Sequence, residues 1–106
     1  MKKKLDLIPP GTILKKEFME PLGITSYRLS KEINVQQTAV SQIIKGSRRI
    51  TVDMALRLSR FFGNSAQFWL NLQNYYDLES EMDKKKSIIK EIVPYCQVVE
   101  NTAAYI

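Results

Sequence analysis

The 106-residue chain contains no histidine and a single cysteine, Cys96. Without histidine the commonest general base and metal ligand is missing, and with it most nucleophilic triads and zinc sites. One cysteine closes no internal disulfide and favours a reducing compartment, so a cytoplasmic protein is expected. Cys96 itself reads as a small apolar filler. Glycine and proline number only four each, and no glycine-rich loop is present to cradle a phosphate. No apolar run approaches the length of a membrane span. Lys2, Lys3 and Lys4 are followed by a short mixed segment ending in Pro9 and Pro10, so no signal peptide is expected. Acidic residues are scarce in the first half. Residues 1–49 hold ten Lys/Arg against four Asp/Glu, residues 50–81 two against four, and residues 82–106 four against three. The whole carries +5 with a pI near 9.4, and the positive charge gathers at the N-terminal side. That placement suits a polyanionic partner, with general solubility as the alternative reading.

No segment shows a convincing period of two, so an all-α chain is expected. "PPGTILKKEFMEPLG" carries Ile13, Leu14 and Phe18 at helical spacing, opened by Pro10 and closed by Pro21. Thr25 is a good N-cap for "SYRLSKEI", with Leu29 and Ile33 facing inward. Asn34 tolerates the left-handed conformation a tight corner needs. A short helix then runs from Gln36 or Gln37 to Lys45 and stops at Gly46. Thr51 caps "VDMALRLSRFF", which Gly63 ends. Ser65 caps "AQFWLNLQNYYDLE". Beyond Glu79 the pattern weakens: "DKKKSIIKEIV" is a sixth helix or the fifth continued, and "QVVENTAAYI" a short strand, a helical turn or a frayed tail.

Two short helices joined by a tight turn in a basic helical chain form a helix-turn-helix arrangement. In its second helix Val40, Ile43 and Ile44 face the core. Thr38, Ser41, Gln42 and Lys45 follow the i, i+3, i+4, i+7 pattern on the other side, and Gln37 sits at the exposed N-terminal end. Amides and hydroxyls there can meet base edges, Gln pairing with N6 and N7 of adenine. Ser26, Arg28, Lys45, Arg48 and Arg49 flank this face as candidate phosphate contacts. Lys31 is a further candidate.

The segment "ITSYRLSKEINVQQTAVSQIIKG" resembles the helix-turn-helix of the lambda-repressor-like (Cro/C1, or XRE) family. The resemblance implies a five-helix DNA-binding domain, expected over residues 1–81; the tail beyond Glu81 matches no family pattern, and residues 82–106 are expected as a C-terminal extension, helical and then frayed. It places base contacts at Gln37, Thr38, Ser41 and Gln42, supported by Ser26. Asn34 stands where the family often has Gly, and Ser30 where it often has Ala. "PPGTILKKEFMEPLGIT" and "RRITVDMALRLSRFFGNSAQFWLNLQNYYDLE" are similar, more narrowly, to HigA-type antitoxins, also called virulence-associated protein I, with Pro9 where a His is usual. This implies a repressor of its own operon that binds operator DNA as an inverted repeat. It also implies a neutraliser of a small basic RNase toxin that cuts mRNA on the ribosome.

Competing readings are a stand-alone dimeric regulator, a helical adaptor that binds only protein, and a small enzyme. The enzyme reading is the weakest, and neither a cofactor nor a metal is expected: Asp77, Glu79 and Glu81 read as a solvated helix end. The helix after Ser65 carries more large apolar side chains than one face can bury. Phe68, Trp69, Leu72, Tyr75 and Tyr76 are therefore candidates for a homodimer seam, with core packing as the alternative. The net acidic stretch 50–81 offers Asp53, Asp77, Glu79 and Glu81 to a basic partner.

Overall fold

The computed structural model describes residues 7–95, and all of its regular structure is helical. Cys96 and the segment expected to form a strand, turn or tail lie outside the described residues.

The first helix, α1, covers residues 10–22 in three consecutive pieces: Pro10–Ile13 in α geometry, Leu14–Met19 in π geometry and Glu20–Leu22 in α geometry. Pro10 occupies its first turn, where a missing N–H costs nothing. Pro21 does not close this helix as the sequence suggests; it sits within the last turn, and the chain leaves at Gly23, φ 66°. A proline there lacks a backbone donor and its ring crowds the carbonyl four residues back. The wider register ahead of it relieves both: the Glu20 N–H reaches back five residues to the Lys15 carbonyl.

Helices α2 (Ser26–Ile33), α3 (Gln37–Lys45), α4 (Val52–Phe62) and α5 (Ala66–Lys90) follow. Thr25, Thr51 and Ser65 cap α2, α4 and α5, their hydroxyls accepting from the N–H of Arg28, Met54 and Phe68 at 3.0, 3.2 and 3.0 Å. Of the two alternatives for "DKKKSIIKEIV", a sixth helix or the fifth continued, the structure shows the second. Helix α5 runs on through "DKKKSIIK", favoured by its run of good helix formers and by ion pairs from Glu81 to Lys85 and Lys84 at 3.2 and 3.7 Å. Lys85 first, then Lys84, holds the Glu81 carboxyl below its usual pKa. Residues 81–95 are exposed along their whole length.

The core gathers where α1, α4 and α5 meet. Trp69 is fully buried there, with the ring centroids of Phe18 and Phe62 at 4.8 and 6.1 Å and its indole N–H donating to Asn64 Oδ1 at 2.9 Å. Leu29, Ile33, Val40 and Ile43 bring α2 and α3 into the same core.

Two further contacts set the position of α3. A Cβ on Gly11 would collide with the Ile43 carbonyl oxygen and stand 2.7 Å from its carbonyl carbon and 2.9 Å from Ile44 Cα. Helix α1 thus rests directly on the backbone of α3. After α3, the buried Gln73 of α5 accepts from the Ile50 N–H through Oε1 at 2.7 Å and donates through Nε2 to Asp77 Oδ1 at 3.0 Å.

Gly11→Ala is expected to lower stability by about 1–3 kcal/mol through overpacking. The readout is a fall in Tm of about 4–8 °C per kcal/mol for a domain of this class; an unchanged Tm would contradict the backbone contact. Gln73→Ala leaves the buried Ile50 N–H without its acceptor and is expected to cost about 1–3 kcal/mol in denaturant melts. Asp77→Ala, which removes a more exposed partner, is expected to cost less than about 1 kcal/mol.

Candidate nucleic-acid interface

The interface is built on α2, the turn and α3. At the turn Asn34 adopts the left-handed conformation, φ 61° and ψ 51°, and the Val35 N–H returns to the Ser30 carbonyl at 3.0 Å. Ser30 is buried, and its hydroxyl is satisfied by donating to the Tyr27 carbonyl at 2.7 Å. From α4, Arg57 Nη1 donates to the Ile33 and Asn34 carbonyls at 2.7 and 3.1 Å, while its Nε is held by Asp53 at 2.9 Å. Arg57 therefore closes the end of α2 and fixes the angle at which the chain enters α3. The sequence reading missed this residue. Its signal was the Asp53–Arg57 spacing of four.

Helix α3 buries Ala39, Val40 and Ile43. Gln37, Thr38 and Lys45 are exposed, and Ser41 and Gln42 are half-buried. The four residues expected to face bases thus share the outward side. Unlike α2, α4 and α5, α3 has no side-chain cap: Gln36 precedes it without such a bond. No side chain takes up its first amide groups, although the Ala39 N–H is bonded to the Gln36 carbonyl at 3.0 Å, and the positive end of its dipole lies at the exposed Gln36 and Gln37.

At the other end Gly46 is left-handed, φ 89°, and the Ser47 N–H returns to the Gln42 carbonyl at 2.9 Å. This C-terminal motif folds the loop back along α3 and brings Arg48 to Gln42, where Nε donates to Oε1 at 3.0 Å. Arg49 turns the other way and pairs with Asp77 of α5. Arg28 pairs with Glu32 at 3.0 Å. Ser26 is the half-buried first residue of α2. Of the expected phosphate contacts, Arg28 and Arg49 are engaged with carboxylates of their own chain. Exposed pairs of this kind are worth about 0–1 kcal/mol, so phosphate can replace the carboxylate at small cost.

The apolar surface of α5 differs from the expected seam. Trp69 is entirely buried and has no surface to offer a partner, because it fills the centre of the core. Leu72 and Tyr76 are half-buried, Leu72 against the core. Phe68 is 36% and Tyr75 63% exposed, and the same side continues through Met82 and Ile89, 54% and 55% exposed, at intervals of seven residues. The acidic groups are mostly engaged too: Asp53 with Arg57, Asp77 with Arg49 and Gln73, Glu81 with Lys85 and Lys84. Glu79 is half-buried.

Residues 15–69 match the helix-turn-helix family profile. Virulence-associated protein I of Dichelobacter nodosus is 41% identical over 87 residues, spanning 82% of this chain and 81% of that protein. Antitoxin HigA-1 of Vibrio cholerae is 36% identical over 93 residues, 88% of each chain. The Pseudomonas aeruginosa antitoxin HigA, whose structure was solved with the higBA promoter, superposes with a TM-score of 0.81 at 36% identity, covering 85% of this chain and 98% of that one. With its turn at Asn34, its outward polar α3 and these relatives, the chain belongs to the HigA-type antitoxins of the XRE helix-turn-helix family.

Proposed function

We propose that this chain represses its own operon by reading operator DNA with α3, and that it neutralises a ribosome-dependent, mRNA-cleaving toxin by binding it. The observation that carries the DNA half is the outward side of α3: Gln37, Thr38, Ser41 and Gln42 on a helix held by the contacts of Gly11, Arg57 and Ile50. A helix of this kind enters the major groove N-terminus first, its amides and hydroxyls reading base edges while Ser26, Lys45 and nearby cations take phosphates. The solved relative bound to its promoter supports this reading.

A homodimer belongs to the same proposal. Phe68, Tyr75, Met82 and Ile89 repeat every seven residues along α5 and leave a stripe for a second copy. Residues 81–90 continue α5 without burying a side chain, and a helical segment this short is marginal in water by itself. Pairing would bring two α3 helices to an inverted repeat with half-sites about one helical turn apart.

A stand-alone dimeric regulator is the competing reading. It is favoured by one observation: Asp53, Asp77 and Glu81 are already paired with cations of their own chain. That weakens a purely electrostatic attraction to a basic toxin. The toxin reading is supported instead by the antitoxin relatives.

If two subunits together neutralise roughly 6–10 phosphates, affinity for duplex DNA should fall about 10³-fold or more between 50 and 200 mM salt. A titration that stays flat over that range would refute DNA binding by this surface. For the toxin, the reading frame beside this gene should arrest growth when expressed alone and be harmless when co-expressed with this chain. A neighbouring frame that is absent, or toxic in both cases, leaves the stand-alone regulator.

A further inference from the structure

We infer that Arg48 determines specificity: by holding the side-chain oxygen of Gln42, it turns the two residues into a joint donor pair that selects guanine, not adenine, at the base facing Gln42. The inference rests on the proposed DNA reading by α3.

The starting point is the bond from Arg48 Nε to Gln42 Oε1 at 3.0 Å. A guanidinium has donors only, so the amide must turn its oxygen towards Arg48 and its NH₂ away. The pairing follows from the backbone. Gly46 is left-handed, the Ser47 N–H and hydroxyl both return to the Gln42 carbonyl, at 2.9 and 3.4 Å, and the next residue is thereby delivered beside the Gln42 side chain. Arg49, one residue on, is drawn to Asp77 on the opposite side. The loop thus divides its two arginines, one to α5 and one to the polar face of α3.

A lone glutamine reads adenine by accepting from N6–H while donating to N7. That mode needs its oxygen open to an incoming donor. Here Arg48 takes one of the oxygen's two lone pairs, and adenine's amino group would meet the other beside the guanidinium, donor against donor. Guanine presents two acceptors, N7 and O6, on the same edge. The Gln42 NH₂ and the remaining Arg48 N–H groups match it without displacing the bond already made. A phosphate-bound Arg48 would leave Gln42 to read adenine, so the two roles predict different bases.

The test is selection from a pool of duplexes randomised in sequence, at fixed low salt, with the full chain and three variants. The wild type should enrich guanine over adenine at one position of each half-site by about tenfold or more. Arg48→Ala should erase or invert that preference and leave neighbouring positions unchanged. Gln42→Ala should erase the preference at the same position. Arg48→Lys keeps the charge but not the planar donor fork; it should hold affinity for random DNA within about threefold and still lose the guanine preference. Two outcomes overturn the inference: adenine enriched by the wild type at the position that Gln42→Ala relaxes, or Arg48→Ala weakening all sequences by one common factor. Either leaves DNA reading by α3 standing. A wild type that binds no duplex at low salt refutes both.

Discussion

The hydrogen bond from the Ile50 N–H to Gln73 Oε1 fixes the loop that follows α3 against α5. Ile50 is fully buried and Gln73 nearly so, so neither group can turn to water instead. An amide left alone there would cost more than the bond itself contributes, which is why the pairing dictates the path of the loop. The other constraints act on α3 from other sides. Gly11 lets α1 lie against the backbone at Ile43 and Ile44, and Arg57 binds the carbonyls at the entry turn. Each is a contact to main chain. The side chains on the outer face of α3 are thereby left out of the structural work and remain available for recognition.

Charge is arranged in a similar division. The arginines around α3 mostly have partners in the isolated chain: Glu32 for Arg28, Gln42 for Arg48, Asp77 for Arg49. These pairs are exposed and weak, so they bias the arginine side chains towards one arrangement while leaving them free to exchange partners. Arg57 is different in kind. Its bonds to the Ile33 and Asn34 carbonyls belong to the fold, and its positive charge is spent on the end of α2.

Much of this was legible in the sequence because it is local. Thr25, Thr51 and Ser65 mark helix starts by a chemistry that acts over three residues, and Asn34, Gly46 and Gly63 mark ends by backbone conformation. The outward side of α3 follows from its angular spacing. What escaped is non-local or depends on register. Pro21 reads as a stop, yet a π turn upstream accommodates it within α1. Trp69 reads as interface or core from its stripe alone, and only the convergence of Phe18 and Phe62 from α1 and α4 decides for core. Gln73 and Arg57 look like ordinary polar helix residues; their partners lie 23 or 24 residues away in sequence. The direction taken by Arg48 and Arg49 is set by the loop, so two adjacent, identical residues acquired different partners.

The projecting half of α5 has a consequence for how such a chain can diverge. Residues 81–95 are exposed throughout, while among the described residues the buried ones all lie at Gln73 or earlier. A substitution in the projecting half therefore meets little resistance from folding, whereas one near Gly11, Arg57 or Gln73 alters the pose of α3. Mutational drift is cheap at one end of the molecule and expensive at the other. If the long helix pairs with another protein surface and α3 reads DNA as proposed, a lineage can exchange the one while inheriting the other unchanged, and new pairings can arise without a new fold.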